Sequence, residues 1–523
     1  MKPRSLKNVP PGLELLHTCN GGRKFSYNWY RASVLILTFL CYMGYHAARK
    51  PPSIVKSILR GNPVPYHPIA GQKGRMLLAG GGPVITASDP TTLNGWAPFN
   101  GSNGQTLLGQ VDLAFLGTYA IGMFFAGHIG DRVDLRWFLT AGMILSGIFT
   151  ALFGMGYFWD MHYFPYYVLV SIMAGLFQST GWPSVVSIVA NWSGKGKRGL
   201  IMGIWNAHTS VGNILGTVIA AAMLSRGWGY SFLLPGFLMI GLGVLMFLGL
   251  VVQPSDVGQA NPDEKVRSSH GAAAYEHEEE LMPLQGKDRE TGGKEISSRE
   301  KAEKQEVEGI HFMDAWRIPG VTSFAFCLFF SKLIAYTFLY WLPYYIKSTP
   351  IEGRKLSAKE AGDLSVLFDV GGVAGGVLAG HLSDKSGASA TVATSFTLLC
   401  VPCLYLYRTI GHQSFAINVA LMMASGFFVN GPYALITTAV SADLGTHDSL
   451  QGNAKALATV SAIIDGMGSI GAALGPMLTG FISDRGGFDM VFVMLYSAAV
   501  MAGLLLVKLV AKELLAMRSR GKP

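Results

Sequence analysis

"GHIGDR", residues 127–132, returns as "GHLSDK" at residues 380–385. Each copy closes the second of a series of long uncharged runs, and the two aspartates, Asp131 and Asp384, stand about half the chain apart. Self-similarity of this kind marks an internally duplicated fold. Outward from the two motifs the apolar runs continue. In the first half they lie near 30–50, 106–128, 135–158, 164–190, 199–224 and 230–252. In the second they lie near 320–347, 357–381, 388–409, 414–441, 453–481 and 488–511. A helix needs about 20 mostly apolar residues to cross the hydrocarbon core of a bilayer. The spacing predicts an all-α membrane protein with about twelve transmembrane helices in two pseudo-symmetric six-helix bundles, an architecture that places a binding site between the halves.

Composition points the same way. Half of the 523 residues are hydrophobic and 14% are charged, where a soluble chain carries about a quarter. The 65 glycines suit helices that approach closely in lipid. Cys19, Cys41, Cys327, Cys400 and Cys403 form neither a disulfide framework nor a metal-ligand spacing. "GMGSIG" at 466–471 matches the dinucleotide fingerprint in letters only. It lies inside an apolar run, where small residues serve helix packing, and not after a strand. No nucleophile–base arrangement emerges, so the chain does not read as an enzyme, and nothing calls for a cofactor, a metal or nucleic acid.

Residues 256–308 break the apolar pattern. They hold fourteen acids against eight bases in a chain whose net charge is +9, and they are nearly free of aromatics. Such a segment cannot bury a core, which predicts a disordered linker. Arg132, Arg136, Lys195, Lys197, Arg198 and the basic C-terminus place their loops, both termini and the linker in the cytosol by the positive-inside rule. The first thirty residues, with Arg4, Lys7, Arg23 and Lys24, read as a cytosolic tail without a cleavable signal. The expected organisation is a tail over 1–28 and a bundle over 29–252, with a long non-cytosolic loop at 51–105. A charged linker over 253–317, a second bundle over 318–512 and a tail over 513–523 complete it. A monomer in lipid is expected, in the plasma membrane or an internal one.

Two charged stretches carry the chemistry. "CYMGYHAARKPP" at 41–52 ends an uncharged run with Arg49 and Lys50. On a helix Tyr42, Tyr45, His46 and Arg49 share a stripe. That stripe offers hydroxyls, an imidazole and a planar guanidinium fork, a set suited to phosphate. With a cytosolic N-terminus the two cations sit where the positive-inside rule gives no reason for them. Lys332 is the second candidate, isolated in "FAFCLFFSKLIAYTFLYWLPYYIK", with Tyr336 one turn beyond. An isolated intramembrane lysine is expensive and marks function by default. Asp369 is expected to neutralise Lys332 or Arg49. Asp465 and Lys455 read as parts of a static pair with other groups, with a feature of the transport pathway as the alternative, and Asp112 as facing the non-cytosolic side. Asn430 and Tyr433 in "NGPY" could donate to a polyol. His128 and His381 follow from the duplication. The sequon at Asn100 falls in the non-cytosolic loop and is a glycosylation candidate, whereas the one at Asn191 faces the cytosol.

The repeated Gly-x-x-x-Asp-Arg/Lys resembles the loop motif of the major facilitator superfamily. A narrower resemblance runs through "GWPSVVSIVANWSGKGKRGLIMGIWNAHTSVGN". Arg198, Gly199, Trp205, Asn206, Val211 and Gly212 fit the organophosphate:phosphate antiporter family without gaps. The family's histidine position holds Thr209, with His208 one place earlier, and Asn213 stands where a second glycine is usual. "YHAARKPPSIVK" and "WNAHTSVGN" are similar to the eukaryotic glycerol-3-phosphate permease and sugar-phosphate exchanger branch. The resemblance implies that Arg49 grips a substrate phosphate; Lys50, Lys332 and His208 are further candidate ligands, with Lys332 one turn before Ala335, where bacterial members carry a second arginine, and open also to a structural role beside an acid. It also implies that Asp131, Arg132, Asp384 and Lys385 lock helices in one state. Antiport of glycerol-3-phosphate, or another phosphate monoester, against inorganic phosphate by alternating access is the implied activity. A hexose-phosphate exchanger, a proton- or sodium-coupled anion symporter using Asp369, Asp465 or His208, and a transporter-like phosphate sensor stay open beside it.

Overall fold

The computed structural model describes residues 8–61, 95–130, 132–192, 205, 207–259, 312–441, 444 and 454–520. Residues 260–311 of the expected linker, most of the expected loop at 51–105, Asp131, Arg198, Gly199 and Asn206 lie outside the described residues, as do the side chains of His128 and Lys455; the end of the expected linker forms a short helix, Phe312–Arg317.

Apart from 3-10 and π turns and one isolated bridge, the described elements are α-helices. In chain order they are α1 (Pro11–Cys19), α2 (Tyr27–Arg49), α3 (Pro51–Arg60), α4 (Gly104–Gly130), α5 (Leu135–Phe158), α6 (Phe164–Gln178), α7 (Gly181–Trp192), α8 (His208–Met223) and α9 (Tyr230–Gly249). The second half gives α10 (Phe312–Arg317), α11 (Val321–Ser348), α12 (Ala358–Ser386), α13 (Ser389–Ile410), α14 (Phe415–Leu435) and α15 (Ala454–Arg520). Starts are set by capping chemistry: Ser26 accepts from the Trp29 N–H, Asp134 from Arg136 and Trp137, and Ser357 closes a capping box with Glu360.

The duplication is visible in the packing. In the first half α2 lies on α8, α4 on α6, and α5 on α9; in the second α11 lies on α15, α12 on α14, and α13 on α15. With α15 read as two arms, these are the same three pairings. Its arms meet at Gly487, whose φ of 66° no other residue type adopts cheaply, so the runs expected at 453–481 and 488–511 form one broken helix. The halves join along two further seams, α4 on α15 and α8 on α12. Leu169, Phe237, Val377 and Leu504 are exposed on helices apolar enough to span a bilayer, as lipid-facing residues should be.

Three expectations need correction. The first is the loop at 51–105, which begins ten residues late. Pro51 and Pro52 open α3 instead of ending the helix, because the first turn has no use for their missing N–H groups. Lys50 keeps helical angles (φ −83°, ψ −30°) between α2 and α3, and Ser53, Ile54, Val55, Lys56, Ser57 and Leu59 are buried. The second is the tail expected at 1–28, which contains α1, packed on α9. The third is the tail expected from 513, which continues α15 to Arg520.

Candidate functional site

The middle of the interface between the halves carries the polar groups. Arg49, near the C-terminus of α2, is 4% exposed. Its Nε donates to Gln178 Oε1 of α6, its guanidinium lies over the Tyr119 ring of α4 with 4.4 Å to the centroid, and its Nη2 has no hydrogen-bond partner among the described residues. Tyr42 and Tyr119 approach with their hydroxyls 3.4 Å apart. Arg49 is therefore met by neutral groups, and no described carboxylate pairs with it.

Lys50 and Lys332 differ. Lys50 Nζ stands 3.7 Å from Asp369 Oδ2 of α12 and donates to the Leu339 carbonyl of α11. Asp369 also accepts from Asn213 Nδ2 at 3.3 Å, and Asn213 Oδ1 lies 3.3 Å from His46 Nδ1. A chain from His46 through Asn213 and Asp369 to Lys50 thus crosses the interface. Lys332 Nζ donates to Asp465 Oδ1 at 2.6 Å, with the Tyr433 ring 5.4 Å away. Asp369 therefore neutralises Lys50, and neither Lys332 nor Arg49; the acid of Lys332 is Asp465. Each of the two expected cations thus has a phenol ring beside it, Tyr119 for Arg49 and Tyr433 for Lys332.

The remaining expected residues divide. His208 is buried with its ring 4.2 Å from that of Trp205 and 4.6 Å from that of Tyr42, and Thr209 Oγ1 stands 3.2 Å from its Nδ1. Tyr336 stacks on Tyr340 one turn from Lys332. Tyr45 faces the first-half core, where its ring closes against Gly181. Asn430 spends its amide on the Gly426 carbonyl, and a Cβ at Gly372 would meet its nitrogen at 2.4 Å; it packs α14 on α12. Arg132, Asp384 and Lys385 are exposed, and no ion pair among the described residues engages them. Asn100 is exposed in the turn before α4. Asn191 donates to the Val252 carbonyl.

A second polar cluster lies on the α3 side of Arg49. Lys56, 1% exposed, donates to Asp112 at 2.5 Å and to the Tyr340 carbonyl at 3.1 Å, and its ammonium sits 4.6 Å from the Trp341 ring centroid. Asp112 is thus buried in an ion pair and does not face outward. Lys347 donates to the Ser57 carbonyl, and Thr106 at the start of α4 donates to Asp484 of α15. Among the described residues these contacts join the halves at the α3 end. Gln178, Tyr119 and Lys56 escaped the sequence reading. The first two are neutral residues in apolar runs and give no signal, whereas Lys56 could have been found by extending the helical stripe through the two prolines.

The pattern of the Major Facilitator Superfamily matches residues 84–352 and 348–520. A protein of Arabidopsis thaliana provisionally named glycerol-3-phosphate transporter 1 is 52% identical over 518 residues, which cover 99% of this chain and 95% of that protein. The glucose-6-phosphate exchanger SLC37A2 of Bos taurus is 50% identical over 494 residues, 94% of this chain and 96% of that one. Among solved structures, a bacterial homolog of the human lysosomal transporter Spinster matches with a TM-score of 0.57 at 16% identity, covering 94% of this chain and 97% of its own. A D-xylose–proton symporter matches at 0.54 and 14%, covering 92% and 98%. At such identity these two speak for the fold alone. Duplicated packing, the pattern match and relatives at half identity agree: the chain is a multi-pass integral membrane protein and belongs to the major facilitator superfamily.

Proposed function

We propose that the protein exchanges a phosphate monoester for inorganic phosphate by alternating access, with the anion held between Arg49 of the first half and Lys332 of the second. One observation carries the reading. Among the described residues Arg49 is a buried cation met by neutral groups, with an Nη2 donor that has no partner. A charge in that position is costly until an anion joins it, and a guanidinium fork matches two phosphate oxygens. The phenols beside Arg49 and Lys332, Tyr119 and Tyr433, supply further donors, and Lys50 lies one residue away on the same helix end.

The substrate class rests on the relatives, whose names give glycerol-3-phosphate transport and glucose-6-phosphate exchange. Exchange rather than one-way transport follows from Arg49. Rocking the halves with that charge unpaired is unfavourable, so the carrier crosses readily only when loaded. With the termini in the cytosol, the contacts at the α3 end lie on the non-cytosolic side. Labelled glycerol-3-phosphate uptake into liposomes holding the purified protein tests the reading. Uptake should need phosphate inside, and unlabelled glucose-6-phosphate should compete if the pocket takes a larger ester. Equal uptake into liposomes without phosphate would contradict it.

A further inference from the structure

At the middle of the interface Lys50 and Lys332 are each paired with a carboxylate, and the two carboxylates are held differently. Asp369 is 8% exposed and is fixed by Asn213 as well as Lys50. The Asp465 side chain is 19% exposed against 6% for Lys332, and among the described residues its carboxylate bonds to Lys332 alone. The lysine stem is buried in a groove formed by Gly468, one turn beyond Asp465, where a Cβ would stand 2.9 Å from Lys332 Cδ. Lys332 is therefore anchored along its stem, while Asp465 stays partly exposed. When a competing anion arrives, the group that can leave at least cost is the one that is less buried and singly bonded.

We propose that Asp465 is a displaceable counter-ion: it holds Lys332 until a substrate phosphate takes the ammonium, swings toward water while the phosphate is bound, and reclaims Lys332 to expel it. The inference rests on the anion site placed between Arg49 and Lys332. Asp465 is then a positioning residue that tunes affinity against release and touches no substrate itself. Asp369, locked on both oxygens, stays with Lys50 throughout.

The test is phosphate–phosphate exchange by reconstituted protein, with inorganic phosphate as the probe. Wild type is compared with Asp465→Asn, Asp465→Ser, Asp465→Glu and Arg49→Ala. Removing the competing charge should lower KM for phosphate about tenfold and lower the maximal exchange rate as well, because release slows. Asp465→Glu should keep both parameters near wild type, and the Ser variant guards against a folding failure of Asn, with melting temperatures recorded for each. An unchanged KM in the neutral variants overturns the proposal. So does loss of phosphate binding like that expected of Lys332→Ala, which would make the acid a fixed support for the lysine. Active wild type with inactive Arg49→Ala keeps the anion site standing whatever Asp465 does; absence of exchange in wild type removes both.

Discussion

Lys56 and Asp112 form an ion pair 2.5 Å long inside the protein, and the same ammonium donates to the Tyr340 carbonyl of the opposite half at 3.1 Å. Neither side chain is more than 2% exposed. One lysine thus joins α3 and α4 to α11 at the end where the halves meet. Removing one member of such a pair leaves the other charged and buried, at a cost of about 3–5 kcal/mol. Lys56→Met and Asp112→Asn should each lower the melting temperature of the purified protein markedly. The double change Lys56→Met with Asp112→Leu should recover most of the loss, and a double variant no better than either single one would show that the pair is not the cause.

Gln178 keeps Arg49 in place without neutralising it. Gln178→Glu puts a carboxylate where the neutral oxygen now accepts, so the protein supplies the anion that the substrate should bring. Phosphate affinity should fall at least about tenfold while the fold holds, since a charge-assisted bond replaces a weaker one. Equilibrium binding of phosphate with a parallel thermal melt reads both; retained affinity would refute the assignment of Arg49.

The fork of Arg49 cannot be replaced by a point charge. Arg49→Lys preserves the charge but loses the second donor arm and the planar contact with Tyr119. Exchange should fall by about a hundredfold, the scale of losing one bidentate contact worth about 3 kcal/mol. A Lys variant as fast as wild type would mean that charge alone suffices.

Gly471 sets how closely α11 and α15 approach. A Cβ there would stand 2.0 Å from the Phe329 carbonyl oxygen, whereas at Gly380 nothing lies within 4 Å. Gly471→Leu should abolish a well-folded product, and Gly380→Ala should be silent in yield and melting temperature. Equal effects at the two positions would contradict the packing described for this seam.

Asn100 sits exposed in a turn whose backbone accepts from Arg60. If the α3 end is non-cytosolic, expression in a glycosylating cell should attach a glycan there. A glycosidase-sensitive band shift, lost in Asn100→Gln, is the expected result. A wild-type protein insensitive to the glycosidase would count against the orientation.

What the sequence showed and what it hid follow from range. The repeat of Asp131 and Asp384, the uncharged runs, and the isolated cations Arg49 and Lys332 are local patterns, and a bilayer makes local charge conspicuous. Partner choice is not local. Lys332 and Asp465 are 133 residues apart and Lys50 and Asp369 are in different halves, so the sequence offered Asp369 to the wrong lysine. Gln178 and Tyr119 are neutral polar residues of a kind that apolar runs commonly carry. Lys56 was hidden by Pro51 and Pro52, which ordinarily mark a loop and here start a helix.

Exchange by alanine variants of Arg49 and Lys332 tests the anion clamp. Liposomes loaded with inorganic phosphate receive labelled glycerol-3-phosphate outside, with wild type, Arg49→Ala and Lys332→Ala measured side by side. Uptake by wild type should depend on internal phosphate and disappear in both variants, at unchanged melting temperature. Uptake indifferent to Arg49, or driven by a pH gradient into liposomes without phosphate, would contradict it.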